Sequence, residues 1–193
     1  MTIGIGTITK KSIIIGTDSL WTFNEEFVRE HKTSKFLEIP AKYKSKVIIA
    51  SSGQDRFTQI FERLLRDSPD LLEIKDKFTV ADLVNSLQAE VIKNGIGEAN
   101  SNELPEHNLG FLLASANTGT LWAVESDYGV VEFDNYVGIG SGAYLGESAM
   151  LALSIAKITG KDAIKIALET VCKLHPYCGG RIEIKEISLE QKN

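Results

Sequence analysis

Long apolar runs are missing from this 193-residue chain; they extend over a few residues, as in Ile13-Ile14-Ile15, and fall far short of a membrane span. Cysteine is nearly absent. Two residues cannot build a disulfide scaffold, and they suit a reducing, cytoplasmic setting. Proline is scarce, no stretch is low-complexity, and no solenoid repeat is present, so no segment reads as a linker. A basic excess is lacking too: 21 Lys+Arg against 26 Asp+Glu leave a formal net charge of −5, which argues against a nucleic-acid partner. No basic n-region with a cleavage site opens the chain, so secretion is not expected. Histidine is limited to three residues, too scattered for a triad, with His31 and His107 in polar surface loops. What remains is 43% hydrophobic and 24% charged, ordinary for a globular protein. The length fits one domain over residues 1–193 whose core needs no staple.

Periodicity divides the chain into blocks. Alternation around Ile3, Ile5 and Ile8 and an Ile-rich stretch from Ser12 to Leu20 predict two strands, with Lys10-Lys11 at the turn. A loop carrying Asn24, Glu25 and Glu26 follows. Ser34–Ile39 and Ser45–Ala50 read as a second strand pair joined across Pro40. Phe57, Ile60, Phe61, Leu64 and Leu65 then repeat at helical spacing over 54–65. A second helix is expected from Thr79, as its cap, to Lys93, closed by Gly95. Residues 95–108 read as a polar loop. Strands return at 109–115 and 120–125 around the turn Asn117-Thr118-Gly119, and again at 130–133 and 136–139. Helices over 143–157 and 161–173 and a last strand over 181–188 complete the order. Segregated blocks of this kind predict an α+β sandwich, two packed sheets with helices outside, rather than a doubly wound sheet.

Chemistry-bearing motifs are few. No P-loop, nucleophile elbow, H-E-x-x-H or dinucleotide fingerprint stands in a supporting context. Gly138-Ile139-Gly140-Ser141-Gly142 leads from strand to helix, but no Lys-Ser/Thr follows it to hold a phosphate. Met1-Thr2 offers another chemistry. Removal of Met1 would give Thr2 both a hydroxyl nucleophile and, on the same residue, an α-amine that titrates near ~8 and can accept its proton.

Taken in order, several blocks resemble the proteasome β-subunit family, including the bacterial HslV protease. They are Thr2-Ile3-Gly4-Ile5-Gly6 running to Gly16-Thr17-Asp18-Ser19, Ser34-Lys35-Phe36-Leu37-Glu38-Ile39, Ile48-Ile49-Ala50-Ser51-Ser52-Gly53-Gln54-Asp55, and Gly138 to Tyr144. Together they cover the chain from Thr2 to about Ile187. The resemblance implies a four-layer αββα sandwich of two antiparallel sheets flanked by helices. It implies a threonine-type endopeptidase with Thr2 as nucleophile and Lys35 beside the hydroxyl, lowering its pKa or relaying its proton. Asp18 would pair with Lys35, Ser141 would hydrogen-bond the Thr2 amine, and the Ser51 backbone N–H would be an oxyanion donor. Ile49 and Gly53 would line the pocket beside the nucleophile. The single residue before Thr2 is like HslV, whereas other members carry a propeptide. No cofactor is required. Implied partners are a peptide or unfolded protein as substrate, copies of the same chain in a ring or stacked assembly, and an ATP-dependent unfoldase.

Two departures bear on activity. Many family members have Gly where this chain has Ser51, so a side chain narrows the approach of substrate. In the loop Lys173 to Gly180, His175 falls where proteasome subunits carry an acid, and Cys178 where they carry a serine. HslV-type members also lack that acid, and in them the matching loop holds a monovalent cation through backbone carbonyls. A cation at 172–178 is therefore admitted here. Cys172, His175 and Cys178 fall one ligand short of a structural zinc site, so buried thiols are expected. Two other functions fit the same residues: a catalytically silent structural subunit, and an N-terminal-nucleophile amidase acting on a small molecule.

Overall fold

Alternating isoleucines make the first hairpin. β1 (Gly4–Ile8) and β2 (Ser12–Thr17) pair antiparallel, with Ile5 opposite Gly16 and Ile8 opposite Ile13. The turn between them is held by Thr9, whose hydroxyl accepts the Ser12 N–H at 2.9 Å. The computed structural model describes residues 2–23, 27–30, 34–95 and 110–189. His31, His107, the 24–26 loop and nearly all of the 95–108 loop lie outside the described residues.

After β2 come β3 (Leu20–Phe23) and β4 (Phe27–Glu30), an antiparallel ribbon separate from the two main sheets. The expected strand over 34–39 is reduced to one bridge, Phe36 to Ala50, flanked by a Leu37 N–H to Ile49 O bond of 3.0 Å. Pro40 explains the reduction: it lacks a ladder donor and leads directly into a 3-10 turn at Ala41–Tyr43. β5 (Val47–Ser52) then enters α1 (Asp55–Asp67), and a 3-10 turn at Pro69–Leu72 precedes α2 (Lys77–Lys93). Asp76, not Thr79, caps α2. Its carboxylate accepts the Thr79 N–H at 2.8 Å while the Thr79 hydroxyl accepts the Asp76 N–H at 3.1 Å, a reciprocal capping box.

β6 (Gly110–Ser115), β7 (Thr120–Val124) and β8 (Val130–Phe133) continue from β5 as one antiparallel sheet in the order β5-β6-β7-β8. β9 (Tyr136–Ile139) crosses to the other sheet, which runs β10-β2-β1-β9 once α3 (Ala143–Ile155), α4 (Gly160–Leu174) and β10 (Glu183–Ser188) are in place.

Three apolar clusters fix the layer order. Ile13, Ile15, Ile48, Leu112, Leu121 and Ile139 fill the space between the sheets. Phe57, Phe61, Leu83 and Leu87 of α1 and α2 pack on Phe111, Leu113 and Trp122 of one sheet. Ile164, Leu168 and Val171 of α4, with Met150 of α3, cover Ile3, Ile5 and Ile14 of the other. The result is helices, sheet, sheet, helices, the expected four-layer αββα sandwich. Gly16 sets the closeness of the last layer, since a Cβ there would come within 2.5 Å of Ile164. Among the described residues, no helix is long and apolar enough to cross a membrane.

Candidate active site

The register of the first hairpin brings the chain start against the end of β2. Gly4 pairs with Thr17, so residues 2–3 lie beside Asp18 and Ser19. The contact is reciprocal: Asp18 N–H donates to Ile3 O at 3.2 Å, and Ile3 N–H donates to Asp18 Oδ1 at 3.1 Å. Lys35 reaches the same carboxylate, its Nζ 2.5 Å from Oδ1, with both side chains essentially sealed from solvent at 1% and 0% exposure. Gly179 N–H, from the loop after α4, donates to Asp18 Oδ2 at 2.9 Å. One carboxylate thus gathers an ammonium and two backbone donors from three separate parts of the chain. Burial pushes the Lys35 ammonium below its ordinary value, against Asp18, which favours the charged form.

Thr2 is buried, and its carbonyl is clamped by the turn between β9 and α3. Gly142 N–H donates to it at 3.2 Å and the Ser141 hydroxyl at 3.4 Å. Gly140 has φ +81°, and a Cβ there would stand 2.4 Å from that carbonyl oxygen, so the turn requires glycine twice over. Ser141 was expected at the Thr2 amine; here its hydroxyl serves the carbonyl of the same residue. Cys178 Sγ lies 4.0 Å from Ser141 Oγ.

Thr2, Asp18, Lys35 and Ser141 therefore meet in one place. Ser51 does so only in part. Its N–H, expected to be a free oxyanion donor, is bonded to Lys35 O at 2.9 Å, because the 34–37 segment pairs along β5. Its hydroxyl is 3.0 Å from that of Thr58. Ile49 departs further from expectation. Strand alternation turns it into the core with Phe57 and Leu37, where it is 1% exposed, so it lines no open pocket. Gly53, at φ +117°, is half-buried at the entry to α1. A cleft of about 450 Å³ between α4 and β10 is walled by Lys165, Glu169, Cys172 and Ile184, without Thr2, Asp18 or Lys35.

The zinc arrangement of Cys172, His175 and Cys178 is not formed, since no three His, Cys, Asp or Glu side chains among the described residues are grouped to hold a metal. His175 Nδ1 instead accepts the Tyr177 N–H at 3.3 Å. Burial raises the Cys172 thiol to about 11 and the Cys178 thiol to about 12, so both stay neutral. Two participants were not foreseen. Gly179 acts through a backbone N–H, which leaves no side-chain signal. Trp21, three residues past Asp18, sets its ring centroid 5.8 Å from Lys35 Nζ, and a tryptophan so close to a candidate acid was the available cue.

The sequence matches no protein-family model and no curated protein. Solved structures do match. Thiobacillus denitrificans BPH superposes with a TM-score of 0.79 at 16% identity over 100% of both chains, and it has also been solved in complex with Epoxomicin. Eukaryotic HslV from Trypanosoma brucei gives 0.70 at 14% identity, covering 96% of this chain and 99% of that one. Anbu (ancestral beta-subunit) from Yersinia bercovieri gives 0.72 at 15% identity, covering 96% and 81%. The chain therefore shares the fold of these proteins, the αββα sandwich seen in BPH, HslV and Anbu.

Proposed function

We propose that the protein is a threonine-type endopeptidase whose nucleophile is Thr2, exposed as the N-terminal residue by loss of Met1. The observation that carries this reading is the Asp18 carboxylate, which fastens the backbone next to Thr2 and the Lys35 ammonium to one buried point. The Thr2 α-amine takes the proton of Oγ1, and Oγ1 attacks a peptide carbonyl. The departing amine takes that proton, leaving an ester on Thr2. Water then gives a proton to the α-amine as it attacks the ester, which releases the acid and restores the hydroxyl. In this reading Lys35, held against Asp18 and sealed from solvent, supplies the positive charge that favours the ionised hydroxyl. The Ser51 N–H serves a developing oxyanion only if substrate displaces the Lys35 carbonyl. No step depends on a cation at 172–178.

Self-assembly belongs to this reading. α3 presents Tyr144, Leu151 and Ile155 outward, at 82%, 54% and 76% exposure, along one face that also carries Glu147. An ATP-dependent unfoldase would feed such an assembly with unfolded protein. The test is cleavage of a fluorogenic peptide by the purified assembly, with Thr2→Ala as control. Loss of cleavage in the variant with unchanged sedimentation supports the reading. Cleavage that persists rejects Thr2, and absence of cleavage in both, with Met1 retained, makes the chain a silent structural subunit.

A further inference from the structure

We propose that Trp21 is a positioning residue for Lys35: its indole face is the ammonium's second partner, opposite in kind to Asp18, and keeps it charged and in place. Lys35 Nζ has one short ionic contact, Asp18 Oδ1 at 2.5 Å, and one aromatic contact, the Trp21 ring at 5.8 Å. That separation lies within the reach of a cation–π interaction, which strengthens as water is removed. Lys35 is buried whereas Trp21 as a residue is partly exposed, and its indole nitrogen is buried.

The placement follows from the fold. Trp21 is the second residue of β3, in the separate ribbon that starts just past Asp18, and it pairs with Arg29 of β4. Acid and indole thus leave the end of β2 within three residues of each other, and Lys35 enters from the segment beside β5. A lysine sealed against one carboxylate is under strong pressure to lose its proton, and burial does lower its ordinary value. The other groups facing it give little help. Cys172 and Cys178 are neutral thiols at about 11 and about 12, and the residue-2 amine, once free, adds like charge. The π face favours the charged form without adding a titrating group.

This inference rests on the reading of Lys35 as the charge beside Thr2, so its test is separated from catalysis. Lys35 ionisation is read by NMR across pH, from the side-chain carbon and nitrogen shifts at Cε and Nζ, which report the protonation of a sealed amine directly. Trp21→Leu keeps an apolar cover and removes the π face, and it should lower the Lys35 midpoint by about half a pH unit. Trp21→Phe should restore most of the shift. Fluorinated tryptophans, incorporated in a Trp122→Phe background, weaken the ring's negative face without changing the fold. They should lower the midpoint stepwise, and they decide the matter if Trp21→Leu does not fold. A midpoint that ignores fluorination overturns the proposal. If the midpoint moves as expected while the unaltered protein cleaves no peptide, the Trp21 contact stands and the peptidase reading falls.

Discussion

Two lysines in this protein have the same kinds of partner, an acid and an aromatic ring, in opposite surroundings. Lys42 Nζ lies 3.6 Å from Asp70 and 3.5 Å from Glu73, with Tyr43 at 4.9 Å, and its side chain is 65% exposed. Lys35 has Asp18 and Trp21, and its side chain is 1% exposed. Their ammonium groups move in opposite directions. Lys42 is raised, chiefly by Tyr43, whereas Lys35 is lowered because burial outweighs Asp18. Composition of the contact is therefore a poor guide to what the contact does. Water is the deciding variable: its presence makes the first pair dispensable, and its absence makes the second costly to break.

That contrast is open to test from its strongest side. Asp18→Asn leaves a buried ammonium without its counter-charge, and it should destabilise the fold by about 3–5 kcal/mol in denaturant unfolding, removing any peptidase activity with it. Gly140→Ala comes next. Its Cβ would meet the Thr2 carbonyl at a φ that suits glycine, so activity should drop at least tenfold while the far sheet keeps its hydrogen-exchange protection. Smaller again is the alkaline limb of stability. The Cys178 thiol titrates near 12 when folded against a usual value of 9.0. The folded state therefore holds its proton longer, and the stability this gives is complete below about pH 9 and is lost as pH rises beyond it. Cys178→Ala should flatten that loss, as followed by the unfolding midpoint across pH. Least of all, Lys42→Met should leave both the midpoint and activity where they are; a clear loss of either would end the comparison.

Much of this was legible in the sequence because it rests on periodicity. The Ile alternation of β1 and β2, the helical spacing of Phe57, Ile60 and Phe61, and the Gly-Ser-Gly turn each declare themselves locally. The grouping of Thr2, Asp18, Lys35 and Ser141 was expected only from the resemblance of the ordered blocks to the proteasome β-subunit family, not from periodicity. What was hidden depends on partners far along the chain. The Ser51 N–H is occupied because the Lys35 segment pairs beside β5, and Pro40 cut short the strand expected there. Ile49 turned inward because its fate was set by strand phase, not by nearness to a catalytic block. Gly179 contributes a backbone donor that no side chain announces.

The central claim, that Thr2 attacks as the first residue of the chain, is tested most directly by the intact mass of the purified protein before and after a peptide epoxyketone. The account predicts a chain lacking Met1 that gains one inhibitor mass, located by fragmentation on Thr2, and no gain in Thr2→Ala. A homogeneous chain that keeps Met1 and takes up no inhibitor would contradict it.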